Sequence, residues 1–115
     1  MTVSITVLGV VQGVGYRPFA ARLAKALGVT GTVLNSGGIV RIIASGKKEA
    51  VDKFVHRLKS RQPAGADVMQ ILVEDRPEQD FDDFKIVDYK DSLHEYIHVY
   101  WQHENIRERS ISGNV

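Results

Sequence analysis

A loop and one further residue in the first third of the chain have the types and spacing needed to hold an anion and a water molecule beside it. The first is the glycine-rich run Gly9–Arg17, which separates a strand-like segment from a helix-like one. Gly13 and Gly15 permit left-handed backbone geometry, which gathers successive N–H groups into a concave nest. A helix that starts there adds free N–H groups and the positive end of its dipole, which suits phosphate. Arg17 at the mouth adds a planar fork of donors that keeps its charge.

Glycine-rich loops between a strand and a helix also occur in nucleotide-binding proteins and in simple turns, so these alternatives must be compared. A dinucleotide-binding fingerprint needs a third glycine that is missing here, and a nucleoside-triphosphate loop needs Gly-Lys-Ser or Gly-Lys-Thr. From the residues alone, a tight strand-to-helix turn without a ligand stays open.

The second feature is the single residue Asn35. An ordinary turn position before Gly37 and Gly38, and an amide that holds a water beside a phosphate, are both open for it.

Hydrophobic periodicity predicts the elements that position these residues. Val3–Val7 alternates with period two and is rich in β-branched residues, which is typical of a strand. After the loop, Phe19, Leu23 and Leu27 recur every four residues, which indicates a helix that ends before Gly28. The other predicted elements are strands over 30–34 and 39–45 joined by a hairpin at 35–38, a helix over 47–60, and strands over 68–73 and 84–87.

This order of elements predicts the fold class. It is α+β, a ferredoxin-like βαββαβ sandwich with one antiparallel sheet and two helices on one face. In this split arrangement the strand before Asn35 lies beside or near the first strand, so Asn35 can face the loop and Arg17. We expect the domain to span residues 1–92, and residues 93–115 to form a separate tail.

Length and composition limit the class of protein. The chain has 115 residues, 43% of them hydrophobic and 25% charged, as in one soluble globular domain. No apolar run reaches the ~20 residues of a membrane span and no basic signal region opens the chain, so we expect a cytoplasmic protein. The absence of cysteine excludes thiol nucleophiles and disulfides.

Charge is distributed unevenly along the chain. Residues 1–60 have nine basic and two acidic side chains, a net charge of +7, and residues 61–115 have six basic and twelve acidic side chains, a net charge of −6. The basic half could hold an anion. Alternatively, the two halves intermix in space and their charges cancel.

The loop and strand motifs together resemble the acylphosphatase family. Gly9–Arg17 matches the family's G-x-V-Q-G-V-x-[FY]-R loop, and residues 31–35 match its G-x-V-x-N strand end, followed by Gly38 and Gly46. The resemblance covers residues 3–88, with the motifs in the right order on the right elements. It implies a ferredoxin-like fold and the hydrolysis of acyl phosphates to carboxylate and phosphate, without a metal or other cofactor.

Residue roles follow from this resemblance by position. Arg17 would bind the substrate phosphate, and Asn35 would orient the attacking water. The phosphate-binding residues would be Gln12, Gly13, Val14, Gly15, Tyr16 and Arg17. We therefore expect small acyl phosphates and inorganic phosphate as ligands.

One subgroup of the family is most similar in detail. Arg17-Pro18-Phe19 and the hairpin at 35–38 look like the N-terminal acylphosphatase-like domain of the HypF carbamoyltransferases, which mature nickel–iron hydrogenases. Those proteins continue into zinc motifs with paired cysteines, and this chain has no cysteine. An excised domain, a truncated product and a stand-alone relative all fit. The alternative function is a module of a larger enzyme that binds carbamoyl phosphate without hydrolysing it.

Three further predictions concern other partners. RNA-binding sheets of this class present aromatic side chains, and the strand over 39–45 has none, so we expect no nucleic acid. His94, His98 and His103 lie in a strand-like context, so we expect no metal site there. Tyr96–Trp101 is too apolar for a free end, which predicts that the tail adds to an exposed sheet edge of its own chain or of a second copy in a homodimer.

Overall fold

Two helices and five strands make up residues 1–87, the part of the chain that the computed structural model describes. In chain order they are β1 (Thr2–Val10), α1 (Tyr16–Leu27), β2 (Thr30–Ser36), β3 (Ile39–Ser45), α2 (Lys48–Ser60), β4 (Asp67–Arg76) and β5 (Phe84–Ile86). This is the predicted order, including the short fifth strand. In these residues no helix combines the length and the apolar character of a bilayer span. The predicted tail, residues 93–115, lies outside the described residues.

The five strands form one sheet in the order β4-β1-β3-β2-β5. Within the first four strands, β4-β1-β3-β2, every neighbouring pair is antiparallel, as the ferredoxin-like prediction requires. β5 pairs parallel with β2, so the complete sheet is mixed. The connection before β5 crosses one end of the sheet, where the Gln79 N–H donates to Thr2 Oγ1 at 3.0 Å and Ser45 Oγ donates to the Gln79 carbonyl at 2.6 Å. The chain thereby reaches the opposite edge and enters β5 in the direction of β2.

The core lies between the sheet and the two helices. Val3, Ile5 and Val7 alternate along β1 and are fully buried, and Val33 and Ile42 extend the same layer across β2 and β3. The helix side chains that meet this layer are Tyr16, Ala20, Ala21 and Ala24 of α1 and Val51, Phe54 and Leu58 of α2. Both helices therefore cover one face of the sheet, and the predicted fold class is confirmed.

Helix α1 approaches the sheet through alanines rather than through its large side chains. Phe19, Leu23 and Leu27 produce the four-residue periodicity, yet they are only partly buried at the side of the core. Ala20 and Ala24 are fully buried instead. Because a methyl group is small, the helix backbone can lie close to the strands, and this closeness brings the start of α1 to the end of the sheet.

The hairpin between β2 and β3 is tighter than predicted, and this changes the place of Asn35. Asn35 belongs to β2 and Ser36 pairs with Ile39, so the turn consists of Gly37 and Gly38 alone. Both glycines have positive φ, 59° and 88°, as a two-residue turn that matches the twist of its strands requires. The expectation that Asn35 opens the turn is therefore wrong. Asn35 is a strand residue, and turn chemistry does not explain it.

Candidate active site

The loop after β1, the start of α1 and the end of β2 meet at one end of the sheet. β1 and β2 run in the same direction, because each is antiparallel to β3 between them. Their carboxyl ends therefore lie together, where α1 begins at Tyr16. Gln12 joins the two strand ends: its Nε2 donates to Oδ1 of Asn35 at 3.2 Å. The structure thus brings Asn35 to the loop, as the split arrangement predicts.

Two valine side chains hold the loop from the inside. Val11 is buried, and Val14 is partly buried against the core. Val14 also packs on the turn before β4, where a Cβ added to Gly65 would lie 3.3 Å from its Cγ1. Gly13 and Gly15 are exposed. The apolar anchors therefore fix the shape of the loop and leave its backbone accessible from outside.

The loop backbone has the geometry of an anion-binding nest. Gly13, with φ 71°, and Gly15, with φ 73°, both adopt the left-handed conformation. A Cβ at either position would meet nothing within 4 Å, so glycine is needed there for its conformation rather than for space. The N–H groups of residues 12–17 donate no hydrogen bond to any other atom of residues 1–87. Such a run of free donors between two left-handed glycines suits anionic oxygens.

The first turn of α1 leaves the positive end of the helix without a neutralising group. The N-cap is Gly15, which has no side chain to accept from the helix, and no acidic residue occupies the first turn. Most helices begin at Ser, Thr, Asp or Asn and favour acidic residues there. Pro18 has no N–H, so the free donors of this turn are those of Gly15, Tyr16 and Arg17. A bound anion would satisfy all three.

Arg17 adds a full positive charge where the helix dipole is already positive. It lies in the first turn of α1 with its side chain partly buried. Its guanidinium makes no hydrogen bond or salt bridge with the rest of residues 1–87. A cation at this end of a helix is unfavourable, whereas an anion is favourable. The position of Arg17 therefore opposes local stability, and a bound anion would offset this cost.

Asn35 lies at the rim of the core, on the face of the sheet that the helices cover. Two residues earlier in β2, Val33 is fully buried on this face, and strand side chains alternate. The partner of Asn35 in β3 is Val40, which pairs in turn with Val7 of β1, and both are fully buried. These neighbours cannot bond to a carboxamide. Gln12 supplies the polar contact of Asn35 within residues 1–87.

The side chain of Tyr16 points away from the loop. It is 1% exposed, and its hydroxyl donates to the Leu58 carbonyl at 2.7 Å. Burial raises the pKa of this hydroxyl above its usual range, so it stays a neutral donor. Leu58 lies in the last turn of α2, and the Gln62 N–H bonds to Lys59 instead of to Leu58. Tyr16 can therefore offer a phosphate only its backbone N–H, and its hydroxyl caps α2.

The Tyr16 hydroxyl should contribute measurably to stability. Tyr16→Phe removes the donor and leaves the buried carbonyl of Leu58 unpaired, so we expect the free energy of unfolding to fall by about 1–3 kcal/mol. Urea unfolding followed by circular dichroism measures this change. Because the hydroxyl lies away from the loop, the Km of the variant for any substrate should match that of the unsubstituted chain. An unchanged free energy of unfolding would contradict the capping role.

The main-chain N–H groups of the loop and the Arg17 guanidinium are donors that suit an anion. N–H groups and a guanidinium have no lone pair to give to a cation. In the described part of the chain, no three His, Asp or Glu side chains are gathered in one place. His94, His98 and His103, for which we expect no metal, lie outside that part.

Sequence motifs did not indicate two contacts that shape the site. The first is the hydrogen bond from the Gln12 side chain to Asn35, because the motif includes Gln12 but gives no partner for its side chain. The second is the packing of Val14 against Gly65, which lies outside the motif. The available signal was the position of two inward valines, Val11 and Val14, among polar and glycine residues. That pattern places the Gln12 side chain outside the core, but it does not name its partner on a strand.

Fold and site together define a class of protein, a ferredoxin-like domain with a glycine-rich loop of free N–H groups between its first strand and its first helix. A family model described as acylphosphatase matches residues 3–86. The chain belongs to the acylphosphatase family. The resemblance seen in the loop and strand motifs is confirmed, and so is the predicted enzyme class at the level of the family.

Relatives fall into two groups that differ in length. The chain is 42% identical over 81 residues to the acylphosphatase of Yersinia pseudotuberculosis, and the aligned region covers 70% of this chain and 88% of that protein. It is 41% identical over 88 residues to the probable carbamoyltransferase HypF of Methanocaldococcus jannaschii, and here the aligned region covers 76% of this chain and 12% of that protein. The crystal structure of the acylphosphatase from Bacillus subtilis superposes with a TM-score of 0.71 at 34% identity, over 75% of this chain and 97% of that one. The predicted similarity to both groups is confirmed, and the chain spans only a small part of the HypF relative.

Proposed function

We propose that this chain hydrolyses acyl phosphates to a carboxylate and inorganic phosphate, with the phosphate held at the loop. The observation that carries the proposal is the run of free N–H groups over residues 12–17. Beside it lies the guanidinium of Arg17, which makes no hydrogen bond or salt bridge within residues 1–87. The proposed main-chain donors are Gln12, Gly13, Val14, Gly15, Tyr16 and Arg17. The guanidinium of Arg17 adds a second set of bonds to the phosphate, and Asn35 orients the water. Relatives named acylphosphatase support this function.

The chemistry of an acyl phosphate needs little beyond these groups. The bond from the water oxygen to phosphorus forms while the anhydride P–O bond breaks, and the electron pair leaves with the carboxylate. The conjugate acid of that leaving group has a pKa of about 4, so no general acid is needed. One water proton passes to a phosphate oxygen. What remains is neutralisation of the equatorial oxygens and aim of the water, which the loop, Arg17 and Asn35 supply.

Hydrolysis should not depend on a divalent metal ion. Because Arg17 and the main-chain dipoles neutralise the phosphate, a chelator should leave the initial rate of acetyl phosphate loss within about twofold of the untreated rate. Inorganic phosphate should inhibit competitively, since it occupies the same nest. Loss of activity in the chelator, restored by a divalent ion, would contradict this mechanism.

Turnover by the isolated chain separates hydrolysis from the second candidate function. The HypF relatives favour a module that binds carbamoyl phosphate without hydrolysing it. We expect the chain to consume both acetyl phosphate and carbamoyl phosphate with saturation, faster than their spontaneous decay. Calorimetric binding of carbamoyl phosphate without turnover would favour the module instead. Absence of both binding and turnover would contradict both functions.

The tail gives a separate prediction about assembly. The proposed catalytic groups all precede β3, so a chain that ends at Ser92 should keep its rate of hydrolysis. We propose that Tyr96–Trp101 adds to a free sheet edge and joins two copies of the chain; β4 and β5 form the edges of the described sheet. Removal of residues 93–115 should then lower the sedimentation coefficient or the solubility. Identical sedimentation and solubility would contradict this proposal.

The cytoplasmic location of the protein, expected from the sequence, also stays a prediction.

A further inference from the structure

Gln12 and Asn35 form the only side-chain hydrogen bond between the loop and the sheet within residues 1–87. The Gln12 Nε2 donates to Asn35 Oδ1 at 3.2 Å, across 23 positions of sequence. The backbone N–H of Gln12 belongs to the nest, whereas its side chain turns toward the end of β2. The two parts of this residue therefore have different partners.

The orientation of the Asn35 carboxamide depends on this contact. Rotation of the group by 180° exchanges its oxygen and its nitrogen, which differ in hydrogen bonding and hardly in shape. The buried neighbours Val7 and Val40 are apolar and do not distinguish the two orientations. In this structure the Gln12 Nε2 donates to the Asn35 oxygen. Gln12 is therefore the one side chain of residues 1–87 whose hydrogen bond holds the Asn35 carboxamide in this orientation.

We propose that Gln12 is a positioning residue that acts on the reaction through Asn35. This role rests on the hydrolysis proposed above. After it accepts the Gln12 N–H, Oδ1 of Asn35 keeps a lone pair that accepts an O–H of the attacking water. The lone pair of the water then stays free to attack phosphorus. In the opposite orientation the NH₂ group would donate to the water oxygen and occupy that lone pair.

The first test replaces Gln12 by methionine, which has a similar length and no N–H. We expect kcat for acetyl phosphate to fall about three- to tenfold, the range of one net hydrogen bond. KM and the inhibition constant of inorganic phosphate should stay within about twofold, because the backbone N–H of the nest is retained. Gln70→Met is the matched control: Gln70 is an exposed glutamine on β4, paired with Leu8. Its kinetics should equal those of the unsubstituted chain.

The second test asks whether the effect passes through Asn35. In an Asn35→Ala background, Gln12→Met should change kcat by less than about 1.5-fold, because the partner that it orients is gone. The residual rate is measured at high enzyme concentration, above the spontaneous decay of acetyl phosphate. Thermal unfolding of all four proteins of this cycle checks that they are folded.

Two results would overturn this role while leaving hydrolysis intact. A rise in KM and in the phosphate inhibition constant with unchanged kcat would assign the Gln12 side chain to phosphate binding. Equal losses of kcat in both backgrounds would mean that Gln12 acts independently of Asn35. If the unsubstituted chain hydrolyses no acyl phosphate, the proposed function fails and this role fails with it.

Discussion

Replacement of Arg17 by alanine should abolish hydrolysis and phosphate binding together. The guanidinium neutralises charge that spreads over the phosphate oxygens in the transition state, so we expect kcat/KM to fall by at least about 10³-fold. Inorganic phosphate should no longer bind in isothermal titration calorimetry. Because a cation at a helix start opposes the dipole, Arg17→Ala should leave the free energy of unfolding unchanged or slightly higher. A loss of function without a loss of stability is the expected result.

Two variants serve as comparisons for Arg17. Arg17→Lys keeps the charge and loses the planar fork, so it should recover only a small part of the rate. Arg22 is an exposed arginine on the same helix, and Arg22→Ala should retain the rate of the unsubstituted chain. Near-normal turnover by Arg17→Ala would contradict its assignment as the phosphate ligand.

Replacement of Asn35 by alanine should lower kcat about 100-fold, the scale expected when a reacting group loses its position. KM should change less than about threefold, because Asn35 holds the water rather than the substrate. Within residues 1–87 its side chain makes one hydrogen bond, to the exposed Gln12, so the free energy of unfolding should fall by no more than about 1 kcal/mol. Steady-state kinetics and urea unfolding of the same preparation measure both quantities.

Ser36→Ala provides the matched control for Asn35. Ser36 is the next residue of β2, so its side chain lies on the opposite face of the sheet. Its replacement should leave kcat unchanged. For Asn35→Ala, a raised KM and phosphate inhibition constant with intact kcat would assign the amide to phosphate binding instead. Lower stability with unchanged specific activity would assign it a purely structural role.

The ends of the first helix could be predicted because local chemistry determines them. Within a helix, proline is tolerated only in the first turn, and glycine readily adopts the left-handed conformation at which a helix ends. The structure places Pro18 in the first turn of α1 and Gly28 at its C-cap with φ 74°. The left-handed glycines of the loop were predictable for a similar reason, because glycine accepts the positive φ that Gly13 and Gly15 adopt.

Tertiary packing decided the features that the sequence did not reveal. The periodicity of Phe19 and Leu23 predicts a helix but not that Ala20 and Ala24 face the sheet. The parallel pairing of β5 with β2 depends on a connection that crosses the whole sheet. The bond between Gln12 and Asn35 joins residues that only the order of the strands brings together. Long-range contacts of this kind have no local pattern.

The two oppositely charged halves of the chain meet in the fold. Lys25 of α1 lies 4.0 Å from Asp83 in the acidic connection before β5, so the halves do intermix. Both side chains are more than half exposed, so this pair contributes little to stability. Arg17 has no acidic partner among residues 1–87, a property that it shares with several other basic side chains, and it differs from them in its place beside the loop at the start of α1.

The destination of the water oxygen tests the central claim most directly. Acetyl phosphate is hydrolysed by the chain in H₂¹⁸O, and the acetate and phosphate are analysed by mass spectrometry. If the loop and Arg17 hold the phosphate while Asn35 aims a water at phosphorus, each new phosphate carries one ¹⁸O atom and the acetate carries none. The rate should exceed spontaneous hydrolysis, and Arg17→Ala should remove the excess. Label in the acetate, or hydrolysis no faster than the spontaneous reaction, would contradict the account.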